Sequence, residues 1–431
     1  MERRKFINGS ALLLGSFSFL KFSNPAFAEV WTGRMDRLAA LTPEETAVDE
    51  DFWAWVRESY TVSATLINLN NGGVSPQPKV VQDAHIRYYQ QCNEAPSYYM
   101  WRILDQGREP LRAKLADIAG CSPDEVAINR NSTEGLNTVI FGLDLKAGDE
   151  VVLSKFDYPN MMNAWKQREK RDGIKLKWVE LDLPSESEQD LVAVYEKAIT
   201  AKTKIVHVTH VINWTGQIMP VRAIADMAHA KGCEVIVDGA HSFAHLDFKV
   251  PDLNADYFAT SLHKWLCAPF GNGMLYIKKE KIKKVWALLS APEPDSGDIR
   301  KFENLGTRSF ASEMAIGNAA EFHKLIGIKR KEARLRFLKN YWVDKVKGNP
   351  KVKLYTSQLP AFSGALFVFG MEGWKGSEIE GKLFEKKKIH TTPIEHEKIN
   401  GVRVTPSVYT TLAELDRLVE AITEIAAMSP R

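Results

Sequence analysis

The sequence predicts an α/β protein, with a large domain built on a mainly parallel seven-stranded sheet between helices and a smaller C-terminal α/β domain. Two observations carry that expectation. From about residue 78 to 290, seven short β-branched runs alternate with helical patterns, and such alternation builds parallel sheets covered on both faces. From about residue 313 the pattern restarts as helix, strand, helix, strand and closing helix.

The chain opens with an address. Arg3-Arg4-Lys5, the apolar stretch Ala11–Leu20 and the triplet Ala26-Phe27-Ala28 have the order of an export signal over residues 1–28, cleaved after Ala28. The paired arginines followed by Phe6 resemble the twin-arginine motif, which implies the twin-arginine export machinery and a periplasmic location; an ordinary secretory signal is the alternative. The apolar stretch is too short for a comfortable span and no later one is long enough, so the mature chain should not insert into a membrane.

Residues 29–77 form an N-terminal segment expected to pack with the small domain. Within it, 31–60 reads as amphipathic helix (Leu38, Leu41, Phe52, Trp53, Val56) with a start signal at Thr42-Pro43-Glu44-Glu45. Leu66 to Asn71 reads as a short strand ending in the turn Asn70-Asn71-Gly72-Gly73. The large domain spans 78–312. Its strands are Val126–Ile128, Glu150–Leu153, Lys175–Val179, Lys204–Val208, Glu234–Val237, Tyr257–Ala259 and Gly273–Ile277, and 285–312 reads as a connection. The small domain spans 313–431, with strands Leu366–Phe369 and Val402–Val404 and helices from Ser377 and Leu412.

Composition excludes several classes. Hydrophobic residues at 45% and charged residues at 26% exclude a disordered chain. A net charge of +3 without a basic run gives no reason to expect nucleic acid. Cys92, Cys121, Cys233 and Cys267 have neither a C-x-x-C pair nor zinc-like spacing. His207 and His210 lie three apart on a strand and point to opposite faces, so no metal is expected.

Three motifs carry chemistry. Glu234-Val-Ile-Val-Asp238-Gly-Ala-His241 ends a buried strand in a carboxylate, at the sheet edge where ligands of open α/β sheets bind. Such a carboxylate is costly without a cation, and a protonated pyridine nitrogen would be one; Mg²⁺ binding or helix capping would also use it. Thr260-Ser261-Leu262-His263-Lys264-Trp265 places a lysine after the next apolar strand. Lysine shifts its pKa readily when buried, as Schiff-base chemistry requires. Asn129-Arg130-Asn131-Ser132-Thr133-Glu134-Gly135 opens an apolar helix, and its free N–H groups suit a phosphate as well as a plain cap.

Together these stretches resemble the class V aminotransferases of the pyridoxal 5′-phosphate (PLP) fold type I, and most closely their isopenicillin N epimerase-like branch. The resemblance runs from Asn68 to the last helix. It implies PLP as cofactor, Lys264 as the catalytic Schiff-base lysine, Asp238 on the pyridine nitrogen and His241 near the cofactor's O3′. It places Ser132, Thr133, Ser261 and His263 at the phosphate, Tyr158 on the ring face and Asn213 near the phenolic oxygen. Arg403 matches the substrate-carboxylate arginine, with the Asn68–Asn71 stretch, Asn70 included, beside the substrate. Gly306-Thr307 is similar to the dipeptide by which a neighbouring subunit completes the phosphate site, so a homodimer is implied.

The implied substrate is an amino acid. Lys264 moves the α-proton on one face, and a phenol at Tyr158 could serve the other, so epimerase or aminotransferase chemistry is expected. Cysteine desulfurases need a cysteine ahead of the carboxylate-binding arginine, and none follows Cys267. A C–S lyase that works without such a thiol stays open, as does a non-catalytic PLP-binding protein.

Overall fold

The computed structural model describes residues 40–430. The export signal and Leu38 lie outside the described residues. The expected helix before residue 60 is two helices, Pro43–Ala47 and Glu50–Glu58. Thr42 caps the first in a box closed by Glu45. Asp49 breaks the run, because its side chain accepts from Phe52 N at 3.1 Å and so starts a new helix.

Strand β1 (Ile67–Asn68) precedes the large sheet. That sheet comprises β2 (Val126–Asn129), β3 (Glu150–Ser154), β4 (Lys175–Val179), β5 (Thr203–Thr209), β6 (Glu234–Asp238), β7 (Tyr257–Ser261) and β8 (Gly273–Ile277). Their order is β2-β8-β7-β6-β5-β3-β4. Strand β8 is antiparallel to both neighbours, and every other neighbouring pair is parallel. Alternate residues feed two cores. Val206, Val208, Val235 and Val237 face one with Phe310 and Ile316, while Ile205 and Ile236 face the other with Leu136 and Trp165. Both faces are covered, which is why the strands inside the edge strand β4 read as mostly apolar runs.

The register lines up the strand ends that matter. Thr209 pairs with Asp238, Asp238 with Ala259, and Gly273 with both Ser261 and Asn129. Six residues from five strands therefore share one edge. Gly273 is obligatory there, since a Cβ would lie 2.4 Å from Asn129 Oδ1 and 2.6 Å from the Asn131 backbone.

The second sheet is antiparallel, in the order β12-β13-β10-β9, from β9 (Val352–Leu354), β10 (Phe367–Met371), β12 (Thr392–His396) and β13 (Ile399–Val404). Strand β11 (Ile389–His390) pairs in parallel with β1, and Ile67 and Leu69 join the core of Leu338, Trp342, Phe367 and Val402. Arg57 meets Glu414 of the closing helix Leu412–Ala426 at 2.9 Å.

One boundary moves. The expected division between residues 312 and 313 falls inside the helix Phe310–Ile326, whose Phe310, Ala315 and Ile316 pack in the large core. The second core begins its helical share at Leu338. Apolar periodicity alone cannot say which sheet a helix covers. No helix among the described residues is long and apolar enough to cross a membrane.

Candidate active site

Asp238 ends β6 and is buried, with Oδ1 accepting from Ala240 N at 2.9 Å. Burial pushes its carboxyl pKa up, against the pull of the Ala240 N–H and the Lys264 charge. Lys264 follows β7, and its Nζ lies 3.1 Å from His241 Nε2. Burial is the main cause that brings the lysine pKa down to about 8; Asp238 opposes it and Arg403 adds to it. The side chain as a whole is only half-buried, so one flank remains reachable although the amine is enclosed. Burial, then Lys264 and Arg403, hold His241 neutral, and its Nδ1 is buried without a partner.

His245 fixes this loop. Its Nδ1 lies 2.7 Å from the His241 carbonyl, its Nε2 accepts from Ala365 N at 2.9 Å, and its ring stacks on Trp265 at 4.0 Å. Burial lowers its pKa to about 3, so the neutral tautomer with the proton on Nδ1 satisfies both contacts. One imidazole thus ties the His241 turn, the Lys264 turn and the segment leading into β10 together.

Beside these groups the helix Ser132–Gly142 begins, capped by Asn131, which accepts from Glu134 N at 2.8 Å. Ser261 Oγ, at the end of β7, accepts from Ser132 N at 3.0 Å and stands 3.0 Å from Ser132 Oγ. Thr133 lies in the same first turn. His263 sits two residues beyond Ser261, its Nδ1 3.1 Å from the Asn272 carbonyl. A positive helix end with two serine hydroxyls is a cradle for a phosphate.

Across the site, Arg403 projects from β13 and is buried. It donates from Nη1 to the Asn213 carbonyl and from Nη2 to Asn70 Oδ1, both at 3.1 Å. Its Nε has no partner, and no carboxylate pairs with it among the described residues. Burial lowers its pKa to about 10, with Tyr158 opposing. Asn213 Oδ1 is also buried without a partner. Tyr158, at the start of helix Pro159–Asp172, stays 38% exposed, so its ring face remains available. A cleft of about 470 Å³, lined by Asn68, Asn70, Val74, His390 and Tyr409, opens beside Asn70.

The fold therefore gathers Asp238, His241, Ser261, His263, Lys264, Ser132 and Thr133 at one sheet edge, and brings Arg403, Asn70 and Asn213 together by hydrogen bonds. Thr307 stays apart. It is exposed after Gly306 and hydrogen-bonds none of the other site residues. His207 abuts Trp165 and His210 abuts Phe248, on the two sides of the sheet. Burial holds both neutral, at about 3 and about 4. Sequence reasoning missed Asp157, a buried carboxylate beside Thr209, and it did not show that Asn129, which opens the Ser132 motif, has its amide buried without partners. Asp157 stood in view next to Tyr158, but only the fold shows that it is buried.

These features fit a PLP site of fold type I. Residues 67–418 match the aminotransferase class-V family, and the chain belongs to that family. It is 27% identical over 392 residues to an isopenicillin N epimerase of Streptomyces clavuligerus, covering 86% of this chain and 97% of the relative. It is 29% identical over 384 residues to a cysteine desulfurase of Haloferax volcanii, covering 83% and 88%. Among solved structures, a C-DES mutant with glycine covalently linked to its PLP cofactor superposes with a TM-score of 0.77 at 22% identity, covering 86% of this chain and 99% of that one. The cystine C–S lyase C-DES with its product cysteine persulfide gives 0.74 at 22% identity, covering 85% and 99%. The chain is a PLP-dependent class V enzyme, and its residues fit the cofactor. Asp238 would offer a buried carboxylate to the ring nitrogen, the Ser132–Ser261 cradle would take the phosphate, and Lys264 would supply an amine whose pKa burial lowers to about 8.

Proposed function

We propose that this chain is an exported PLP-dependent enzyme acting at the α-carbon of an amino acid, by epimerase or aminotransferase chemistry of the isopenicillin N epimerase-like kind. The carrying observation is Arg403, a buried guanidinium with a free Nε and no carboxylate partner among the described residues. Such a cation needs an anion, and a planar fork fits a carboxylate. Asn70 and Asn213 set its angle.

Bound PLP supplies an electron sink conjugated to the α-carbon. The protein supplies the proton traffic. Lys264 Nζ takes and returns the α-proton on one face, its pKa of about 8 keeping both protonation states accessible. His241 stays neutral and can take the Lys264 hydrogen bond without adding charge. Tyr158 covers the opposite face, and its phenol provides the second proton transfer that inversion requires. Gly306-Thr307, exposed at the surface, completes the phosphate site of a second copy. Export follows the twin-arginine signal, with cleavage after Ala28 placing the mature chain in the periplasm.

A second reading, a C–S lyase, has one observation in its favour: no cysteine follows Cys267, which removes the desulfurase nucleophile but not β-substituent expulsion. Single L- and D-amino acids given to the holoenzyme separate these readings by chiral analysis, keto-acid detection and sulfur detection. Inversion or keto acid from an amino acid supports the proposal, and Tyr158→Phe should abolish inversion while sparing transamination. Sulfur products alone would replace it with the lyase reading. No product from any amino acid would leave a cofactor-binding protein without this chemistry.

A further inference from the structure

We propose that Asp157 is a positioning residue for the Asp238 contact: a second carboxylate, held beside Asp238 by Thr209, whose charge sets how firmly this sheet edge keeps a proton on the cofactor's ring nitrogen. The proposal rests on the assignment of Asp238 to that nitrogen.

Asp157 lies in the turn between β3 and the helix Pro159–Asp172 and is 1% exposed. Its Oδ2 accepts from Ser154 N and its Oδ1 from Thr209 Oγ1, each at 2.7 Å. Thr209 ends β5 and is the register partner of Asp238 on β6, so the two stand side by side at the same edge. No lysine or arginine pairs with Asp157 among the described residues. The titratable groups facing it are Asp238 from β6 and Tyr195 from the helix Glu188–Ala198; Ser154 and Thr209 are neutral. Every titratable neighbour is an acid. An ionised Asp157 therefore adds negative charge to a site that already holds one carboxylate, and only a cation beyond Asp238 can answer it.

A turn acceptor alone would explain the Ser154 bond. It would not explain a carboxylate buried across Thr209 from a second carboxylate, since serine or asparagine would close the same turn without that cost. Burial, the largest cause, pushes Asp157 up to about 7, with Asp238 adding to it and the Thr209 and Ser154 bonds opposing. The group is then neutral on one side of neutrality and charged on the other. Its folded pKa is raised above the ordinary 3.8, so the stability it contributes is fully present below that ordinary value and is lost as pH rises through about 7.

The test uses holoenzyme reconstituted with PLP carrying ¹⁵N in the ring, followed by its nitrogen chemical shift from pH 5 to 10, beside melting curves of the same proteins without cofactor. In Asp157→Asn, the pH at which the ring nitrogen loses its proton should fall by on the order of one unit. The apoprotein should also lose the fall in Tm that the wild type shows as pH rises towards 7, where its curve levels off. Thr209→Val removes a bond that favours the ionised form, so the break in the wild-type curves should move to higher pH. A ¹⁵N titration of Asp157→Asn that overlays the wild type, whatever the melting curves do, would overturn the proposal. If Asp157→Asn does not fold, an unshifted Thr209→Val curve would overturn it equally. A wild-type nitrogen unprotonated throughout would instead overturn the Asp238 assignment, and this inference with it.

Discussion

Two buried charged regions of this molecule use the same residue types to opposite ends. Around Glu303, the pairing is complete: Arg112 donates to both carboxylate oxygens at 2.5 and 2.9 Å, Arg108 approaches at 3.1 Å, and Ile128 N donates at 2.6 Å. At the sheet edge, Asp238 has one backbone donor, and Arg403 has a carbonyl, an amide oxygen and a free Nε. His241 Nδ1 and Asn213 Oδ1 are also without partners. Satisfied burial fastens the 285–312 segment to β2. Unsatisfied burial marks where a ligand supplies the missing half. The difference lies in hydrogen-bond bookkeeping, not in composition.

The comparison can be broken by mutation. The largest effect is expected at Lys264→Ala, which should cut turnover by about 10²–10⁴-fold or more while leaving the apoprotein as stable as the wild type, because it removes a buried amine with no ion pair. Next come the two regions set against each other. Glu303→Ala should cost about 3–5 kcal/mol in denaturant unfolding by leaving the buried Arg112 with only the exposed Glu109 as a carboxylate partner, with little change in intrinsic PLP affinity. Arg403→Ala should reverse that pattern, costing about 2–5 kcal/mol in kcat/KM with unfolding stability unchanged or higher. Equal stability losses from both would dissolve the distinction.

A smaller effect sharpens the site's electrostatics. Capture of PLP by the apoprotein needs the unprotonated Lys264 amine, and burial lowers that pKa to about 8. The capture rate should rise roughly tenfold per pH unit below 8 and flatten above it; a rise continuing to about 10 would show an unperturbed lysine. The smallest effect is expected at Gly273→Ala, whose methyl would meet Asn129 and Asn131 and shift the phosphate cradle. PLP binding should weaken by about 1–3 kcal/mol in an equilibrium titration.

Much of this was legible in the sequence, for definable reasons. Six of the seven large-sheet strands announced themselves because burial on both faces leaves apolar runs, β4 at the edge being the half-exposed exception, and Asp238 and Lys264 stood out as polar residues closing or following such runs. The cradle was visible as a polar turn opening an apolar helix. Strands β9 and β12 were not legible, since β9 is only three residues long, β12 is polar with Pro393 inside it, and neither is fully buried. The helix Phe310–Ile326 looked like the start of the small domain because its partner, the helix Lys79–Glu94, lies far back in the chain. Glu303 and Asp157 escaped for a related reason. A lone acid in a turn reads as surface until its neighbours from distant strands are known.

The most direct measurement of the central claim is borohydride reduction of the purified protein with PLP, followed by proteolysis and mass mapping. The expected result is a pyridoxyl adduct on the peptide containing Lys264, absent from Lys264→Ala, with the visible absorbance band lost on reduction. An adduct confined to other lysines, or no adduct and no visible band in the wild type, would contradict the account.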